Sequence, residues 1–128
     1  MNKEKKILLV DDEQDFRQLM TFWLESKGYA VMTASDGAEA VELVKKKEID
    51  IVFMDVRMPG MDGVDAIKKI REFNEYIPII VISAHVDDPK AKEAVAYGIS
   101  GIFCKHKDFQ EGLSLLESAL RTHKKLKK

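Results

Sequence analysis

The chain has 128 residues, of which 45% are hydrophobic and 34% charged, and its 21 basic and 22 acidic side chains leave a net charge of −1. This length predicts one domain with a substantial core, and the composition argues against disorder and fibrous repeats. The balanced charge provides no overall basic field for nucleic acid, and no apolar run approaches the ~20 residues of a membrane helix. The single cysteine excludes an internal disulfide. We therefore expect a cytoplasmic protein that binds neither nucleic acid nor membrane.

Short apolar segments alternate along the chain with longer amphipathic ones. The short segments predict five strands at residues 7–10, 29–33, 51–54, 79–82 and 101–104, the first of them fully buried. Helical spacing and turn residues predict five helices at residues 14–27, 37–47, 64–72, 89–97 and from 109 onward. The alternation of strands with helices, and strands that are apolar on both faces, favour a parallel sheet covered by helices on both sides. The predicted fold class is therefore α/β, with a doubly wound five-stranded parallel sheet.

Polar residues stand at the points where the apolar strands end. These residues are Asp11 and Asp12 after the first strand, Asp55 after the third, Ser83 after the fourth and Lys105 after the fifth. Since the carboxyl ends of parallel strands share one edge of a sheet, we expect these side chains to converge. Like charges about 4 Å apart repel by about 4 kcal/mol at an effective dielectric of about 20, so three carboxylates there predict a hard cation such as Mg²⁺.

Each of these residues also has an ordinary structural explanation. An aspartate after a strand is often a helix cap or opens a turn, a serine also caps helices, and a lysine is by default solvated. Independent caps would not place this chemistry at the ends of four different strands. The combination therefore favours a functional site.

Three groups of residues resemble the receiver domain of bacterial response regulators. They are Ile-Leu-Leu-Val-Asp-Asp-Glu at 7–13, Met-Asp-Val-Arg-Met-Pro-Gly-Met-Asp-Gly at 54–63, and Ser83-Ala84 together with the distant Lys105. The resemblance covers essentially the whole chain, and the motif at 55–63 is highly specific. It implies a flavodoxin-like (βα)5 receiver fold with strand order 2-1-3-4-5. We expect residues 1–124 to form this domain and residues 125–128 to be a basic tail or the start of a linker.

The resemblance implies a role for each carboxylate. Asp55 would be the phosphoacceptor, attacking a phosphohistidine on a sensor histidine kinase or phosphotransfer protein to give an acyl phosphate. Asp12 and Asp55 would bind Mg²⁺ directly together with the backbone carbonyl of Arg57. Asp11 would act mainly through a water molecule.

Three further groups would contact the phosphoryl oxygens: the Ser83 hydroxyl, the Ala84 backbone N–H and the Lys105 ammonium. Such a protein is a signalling receiver rather than an enzyme, because it catalyses only its own phosphotransfer and dephosphorylation. Besides the kinase, the expected partner is a downstream effector or a C-terminal output domain. Homodimerisation through the last two helices is a further candidate interaction.

Two positions depart from the family's pattern. His106 follows Lys105 where the family usually has a proline in a cis bond, and without proline we expect a trans bond. Ile102 stands where the family usually has Tyr or Phe, so we expect no aromatic switch there. The neighbouring Phe103 points to the opposite face of the strand and is predicted to lie in the core, and Cys104 is predicted to be a small buried side chain.

These departures leave a second function open, a degenerate receiver that binds proteins without accepting phosphate. Two other classes agree less well with the sequence. An aspartate-nucleophile phosphatase also uses a strand-end Asp with Mg²⁺. Phosphatases of that family need a second Asp two residues after the first, however, and Arg57 stands at that position here. The lysines at 124–128 are more typical of a charged helix end or a linker than of a nucleic-acid site.

Overall fold

Five strands alternate with five helices in the computed structural model, which describes residues 4–85, 87–105 and 107–126, the last four by their backbone only. The elements are β1 Lys6–Val10, α1 Gln14–Ser26, β2 Ala30–Ala34, α2 Gly37–Lys46, β3 Ile51–Asp55, α3 Gly63–Phe73, β4 Ile79–Ser83, α4 Pro89–Ala94, β5 Gly101–Cys104 and α5 Phe109–Leu126. A single 3₁₀ turn, Val95–Tyr97, follows α4. The described part of the chain contains no helix that is both long and apolar enough for a membrane span.

All five strands are parallel and lie in the order β2-β1-β3-β4-β5, which confirms the predicted topology. The register aligns the carboxyl ends of neighbouring strands. Val10 of β1 pairs with Met54 of β3, and Asp55 pairs with Ile82 of β4. Ser83 in turn pairs with Cys104 of β5. The polar residues at these ends therefore lie along one edge of the sheet.

The core consists of two apolar layers, one on each face of the sheet. Successive residues of β1 alternate between them: Leu8 belongs to the layer that contains α2, α3 and α4, whereas Leu9 belongs to the layer that contains α1 and α5. Every residue of β3 and of β4 is buried, as expected for central strands covered on both sides. Phe103 is 1% exposed in the layer with α1 and α5, so its predicted core position is confirmed.

The observed boundaries differ from the predicted ones by a few residues at element ends. β3 and β4 each run one residue further than predicted, because Asp55 and Ser83 still take part in the strand ladder. The helix predicted at 89–97 is α-helical only to Ala94, then tightens into the 3₁₀ turn and ends at Gly98, whose φ of 76° is in the left-handed region. The bond between Lys105 and His106 lies outside the described residues, so its geometry stays a prediction, as does the domain boundary at 124.

Candidate functional site

Three carboxylates meet at the carboxyl edge of the sheet. Asp55 is the last residue of β3, while Asp11 follows β1 and is held there by a hydrogen bond from its N–H to the carbonyl of Ala34. Asp11 is fully buried, Asp55 is 4% exposed and Asp12 is exposed. One oxygen from each carboxylate lies within 4.8 Å of the others. The structure therefore brings together the three acidic residues that the sequence pointed to.

Burial makes ionisation of these carboxylates costly. Burial, reinforced by the charges of Asp11 and Asp12, raises the pKa of Asp55 to about 7, although the N–H of Arg57 donates to Asp55 Oδ1 at 3.1 Å. Burial likewise raises the pKa of Asp11 above its ordinary value, against a hydrogen bond from the N–H of Glu13 at 2.8 Å. Without a bound metal ion, Asp55 therefore keeps its proton at pH values where free carboxyl groups are ionised.

Lys105 places its ammonium group among the carboxylates. Its backbone N–H donates to the carbonyl of Ser83, and its Nζ lies 2.9 Å from Asp11 Oδ2 and 3.5 Å from Asp55 Oδ2. Burial lowers the pKa of Lys105, but hydrogen bonds and charges from the surrounding carboxylates outweigh it and hold the pKa above its usual range. Lys105 is therefore a permanent positive charge next to the Asp55 carboxylate.

Sequence reasoning missed one partner of this lysine. Glu13 occupies the N-cap position of α1, yet its side chain forms an ion pair with Lys105 instead of capping the helix. The ring of Phe16 lies on the same ammonium, 5.1 Å from it. The only signal for Glu13 was its position directly after Asp11 and Asp12, which does not specify a contact with a residue on another strand.

The hydroxyl of Ser83 is used within its own loop. It donates to the carbonyl of His85 at 2.7 Å and accepts from the N–H of the same residue at 3.2 Å. Ser83 is fully buried, Ala84 is half-buried and His85 is exposed. To donate to a group on Asp55, the Ser83 hydroxyl has to give up its bond to the His85 carbonyl, because it has only one hydrogen.

A second charged contact joins the loop after β3 to the beginning of α4. The guanidinium of Arg57 donates from Nε to Asp88 Oδ2 and from Nη2 to Asp88 Oδ1, both at 2.8 Å. Asp88 is the N-cap residue of α4, where its side chain also accepts from the N–H of Lys90. The sequence indicated Arg57 only as a residue whose backbone carbonyl would bind Mg²⁺. Its side-chain contact with a residue 31 positions away could not be predicted from any sequence pattern.

Two side chains of β5 are more exposed than those of the central strands β3 and β4. Cys104 is half-exposed, so the prediction that it is buried was wrong. Ile102, two residues earlier and on the same face of the strand, is 37% exposed. Both line a surface groove between β5 and α5. Within the described residues β5 pairs only with β4 and so lies at the edge of the sheet.

The donor set of the carboxylate cluster fits a hard divalent cation. Asp11 Oδ2 is buried and forms an ion pair with the Lys105 ammonium at 2.9 Å. The three converging residues are all carboxylates, which are ligands that Mg²⁺ prefers. The cluster therefore suits Mg²⁺ by its chemistry.

Comparison with known proteins gives concordant similarities. The family model described as response regulator receiver domain matches residues 7–117. Sporulation initiation phosphotransferase F of Bacillus subtilis (strain 168) is 32% identical over 107 residues, which are 84% of this chain and 86% of that protein. Transcriptional regulatory protein GlrR of Escherichia coli (strain K12) is 32% identical over 119 residues, 93% of this chain but only 27% of GlrR. The chain thus spans about a quarter of the length of GlrR.

Solved structures agree in fold. Chemotaxis protein CheY4 of Vibrio cholerae is 32% identical with a TM-score of 0.86, covering 92% of this chain and 100% of that one. NtrX from Brucella abortus is 28% identical with a TM-score of 0.90, covering 98% of this chain and 29% of that chain. The same fold therefore occurs both as a chain of this size and as one part of a longer protein.

Proposed function

This chain belongs to the response regulator receiver domain family of two-component systems, and on that premise we propose that Asp55 is its phosphoacceptor. One oxygen of the Asp55 carboxylate attacks the phosphorus of a phosphohistidine on a sensor kinase or phosphotransfer protein. The P–N bond breaks, the imidazole leaves, and Asp55 carries an acyl phosphate. The observation that supports this most directly is the convergence of Asp11, Asp12 and Asp55, with Lys105 Nζ 3.5 Å from Asp55 Oδ2.

The acidic cluster is proposed to hold Mg²⁺. Asp12 and Asp55, with the backbone carbonyl of Arg57, would bind the ion directly, and Asp11 through a water molecule. When bound, Mg²⁺ neutralises carboxylate and phosphoryl charge at the reacting group. The exposure of Asp12 supports this assignment, because the ion then reaches the site from solvent and keeps part of its water shell.

Other groups of the chain stabilise the phosphoryl oxygens. Lys105 acts as a point charge, already placed among the carboxylates by its contacts with Asp11 and Glu13. The Ser83 hydroxyl leaves the carbonyl of His85 to donate to one oxygen, and the backbone N–H of Ala84 donates to another. Exchange of the Ser83 bonds moves the loop after β4, and this movement is the proposed signal.

The partners follow from the same role. A sensor histidine kinase or phosphotransfer protein supplies the phosphoryl group. An effector protein or a C-terminal output domain binds the phosphorylated state. A homodimer through α4 and α5 is a further candidate interaction. The longer relative GlrR supports an output domain, because this chain matches only 27% of it. The chain catalyses its own phosphotransfer and dephosphorylation, and we place it in the cytoplasm, because its single cysteine forms no internal disulfide and suits a reducing compartment.

A receiver that binds partners without accepting phosphate is the alternative, suggested by Ile102 and His106. The described residues favour the phosphoacceptor, because Asp11, Asp12 and Asp55 converge and Lys105 contacts two of them.

Incubation with acetyl phosphate and Mg²⁺, followed by intact-mass measurement, tests the proposal. We expect one phosphoryl adduct on the wild type and none on Asp55→Asn, whose side chain is nearly isosteric. Circular dichroism of both proteins controls for folding. An adduct on the folded variant would contradict the role of Asp55, and a folded wild type without an adduct would support the alternative.

A further inference from the structure

Two ion pairs join the loop after β3 to the beginning of α4. The first is the bidentate pair of Arg57 with Asp88, with both hydrogen bonds at 2.8 Å. The second joins Lys90 Nζ to Asp62 Oδ2 at 2.9 Å. Asp62 caps α3 and Asp88 caps α4, so each pair includes the N-cap residue of one helix. The position of α4 is thereby tied to the loop that begins at Asp55.

The two members of the first pair differ in their freedom to move. The Asp88 side chain is 3% exposed and is held by the N–H of Lys90 at 2.9 Å, whereas the Arg57 side chain is 60% exposed. The hydrogen bond from Arg57 lowers the pKa of Asp88, so this carboxylate is ionised when paired. Separation of the pair therefore requires movement of Arg57, while Asp88 stays at the helix end.

The backbone of Arg57 lies at the phosphorylation site. Its N–H donates to Asp55 Oδ1 at 3.1 Å, and only one residue separates the two in sequence. A phosphoryl group adds nearly two negative charges and three strong acceptor oxygens. Guanidinium groups bind phosphate as well as carboxylate in bidentate geometry. A phosphoryl group on Asp55 is therefore a direct competitor of Asp88 for the Arg57 side chain.

We propose that Asp88 is a positioning residue that withholds the Arg57 guanidinium from Asp55, and that phosphorylation draws Arg57 away from Asp88 and so removes one of the two ion pairs that join the start of α4 to the loop after β3. This inference rests on the proposed function of Asp55. It assigns the link between the site and α4 to the Arg57–Asp88 pair, in addition to the movement of Ser83.

The competition predicts the sign of a mutational effect. A phosphoryl analogue on Asp55 must displace Asp88 in the wild type but not in Asp88→Asn, in which the carboxylate charge is removed. Asparagine still caps a helix, so α4 keeps its N-cap. The variant should bind beryllofluoride, an analogue of the phosphoryl group, about threefold to tenfold more tightly with Mg²⁺ present.

A double-variant cycle distinguishes this role from a general loosening of α4. Dissociation constants for beryllofluoride are measured by NMR titration on the wild type, Asp88→Asn, Arg57→Gln and the double variant, with Lys90→Gln as matched control. Lys90→Gln breaks the neighbouring ion pair to Asp62 and leaves Arg57 on Asp88. We expect Asp88→Asn to tighten binding only when Arg57 is present, and Lys90→Gln to leave it unchanged.

Three results would overturn the inference: Asp88→Asn without effect, the same gain in the absence of Arg57, or an equal gain in Lys90→Gln. Phosphate uptake from acetyl phosphate separates these failures from that of the proposed function. If the wild type forms an acyl phosphate and any of these three binding results is found, only the Arg57–Asp88 link is refuted. The proposal that Asp55 is the phosphoacceptor then still stands. A wild type that takes neither phosphate nor beryllofluoride contradicts both.

Discussion

Neutralising Asp55 should stabilise the metal-free protein, and the gain should grow with pH. Because its pKa is raised from 3.8 to about 7, mainly by burial, the folded protein keeps a proton that the unfolded chain releases. The stability contributed by this proton is complete below the unfolded pKa of 3.8 and is lost as pH rises through about 7. At about 1.36 kcal/mol per pH unit, the loss of stability between these two pKa values amounts to about 4 kcal/mol. This is a large share of the free energy of unfolding of a typical protein, ~5–15 kcal/mol.

Asp55→Asn removes this titration. Its advantage in free energy of unfolding over the wild type should therefore increase by about 3 kcal/mol between about pH 5 and about pH 8. Urea denaturation in the presence of a chelator measures it at each pH. Glu72→Gln, which changes an exposed carboxylate in the last turns of α3, should follow the wild type throughout and serves as control. A constant difference between Asp55→Asn and the wild type across this range would refute the reasoning.

Three further predictions concern the same edge of the sheet. Asp12→Ala should weaken Mg²⁺ binding, slow phosphorylation and, by relieving carboxylate repulsion, stabilise the metal-free domain in thermal melts; a less stable variant with an unchanged Mg²⁺ response would make Asp12 a structural residue instead. Lys105→Met should destabilise the metal-free protein by about 3–5 kcal/mol at about pH 8 and by less at about pH 5, because it leaves buried carboxylates without their counter-charge. Urea denaturation at both pH values measures this loss, and equal losses would argue against the electrostatic role. Structures with and without beryllofluoride should show the Ser83 hydroxyl moving from the His85 carbonyl to the analogue while Ile102 keeps its rotamer, and a flip of Ile102 coupled to Ser83 would contradict this.

The convergence of the carboxylates could be predicted because it depends on the strands alone. Short apolar runs mark the strands, and the helix between each strand and the next makes them parallel. Once the strands are parallel, their carboxyl ends must meet, whatever the loops do. Asp11, Asp55 and Lys105 come directly from these ends, within one residue of the strands themselves. The strand order itself came from the resemblance to the receiver family and not from the pattern of residues.

The contacts that could not be predicted are side-chain pairs between loops and helix ends. Glu13 reaches Lys105 across the site, and Arg57 reaches Asp88 from a different loop. Such pairs depend on where loops lie in space, which hydrophobic periodicity does not encode. The exposure of Cys104 has a similar cause, because a strand at the sheet edge has the same local composition as one that is covered on both sides.

Locating the phosphoryl group on the chain tests the central claim most directly. Borohydride reduces an aspartyl phosphate to homoserine and leaves a free carboxylate unchanged, so reduction after acetyl phosphate and Mg²⁺ treatment marks the acceptor for peptide mass spectrometry. We predict homoserine at position 55 in the wild type, with no conversion at positions 11 or 12 and none anywhere in Asp55→Asn. Homoserine at position 11 or 12, or an acyl phosphate in Asp55→Asn, would contradict the assignment of Asp55 as the phosphoacceptor.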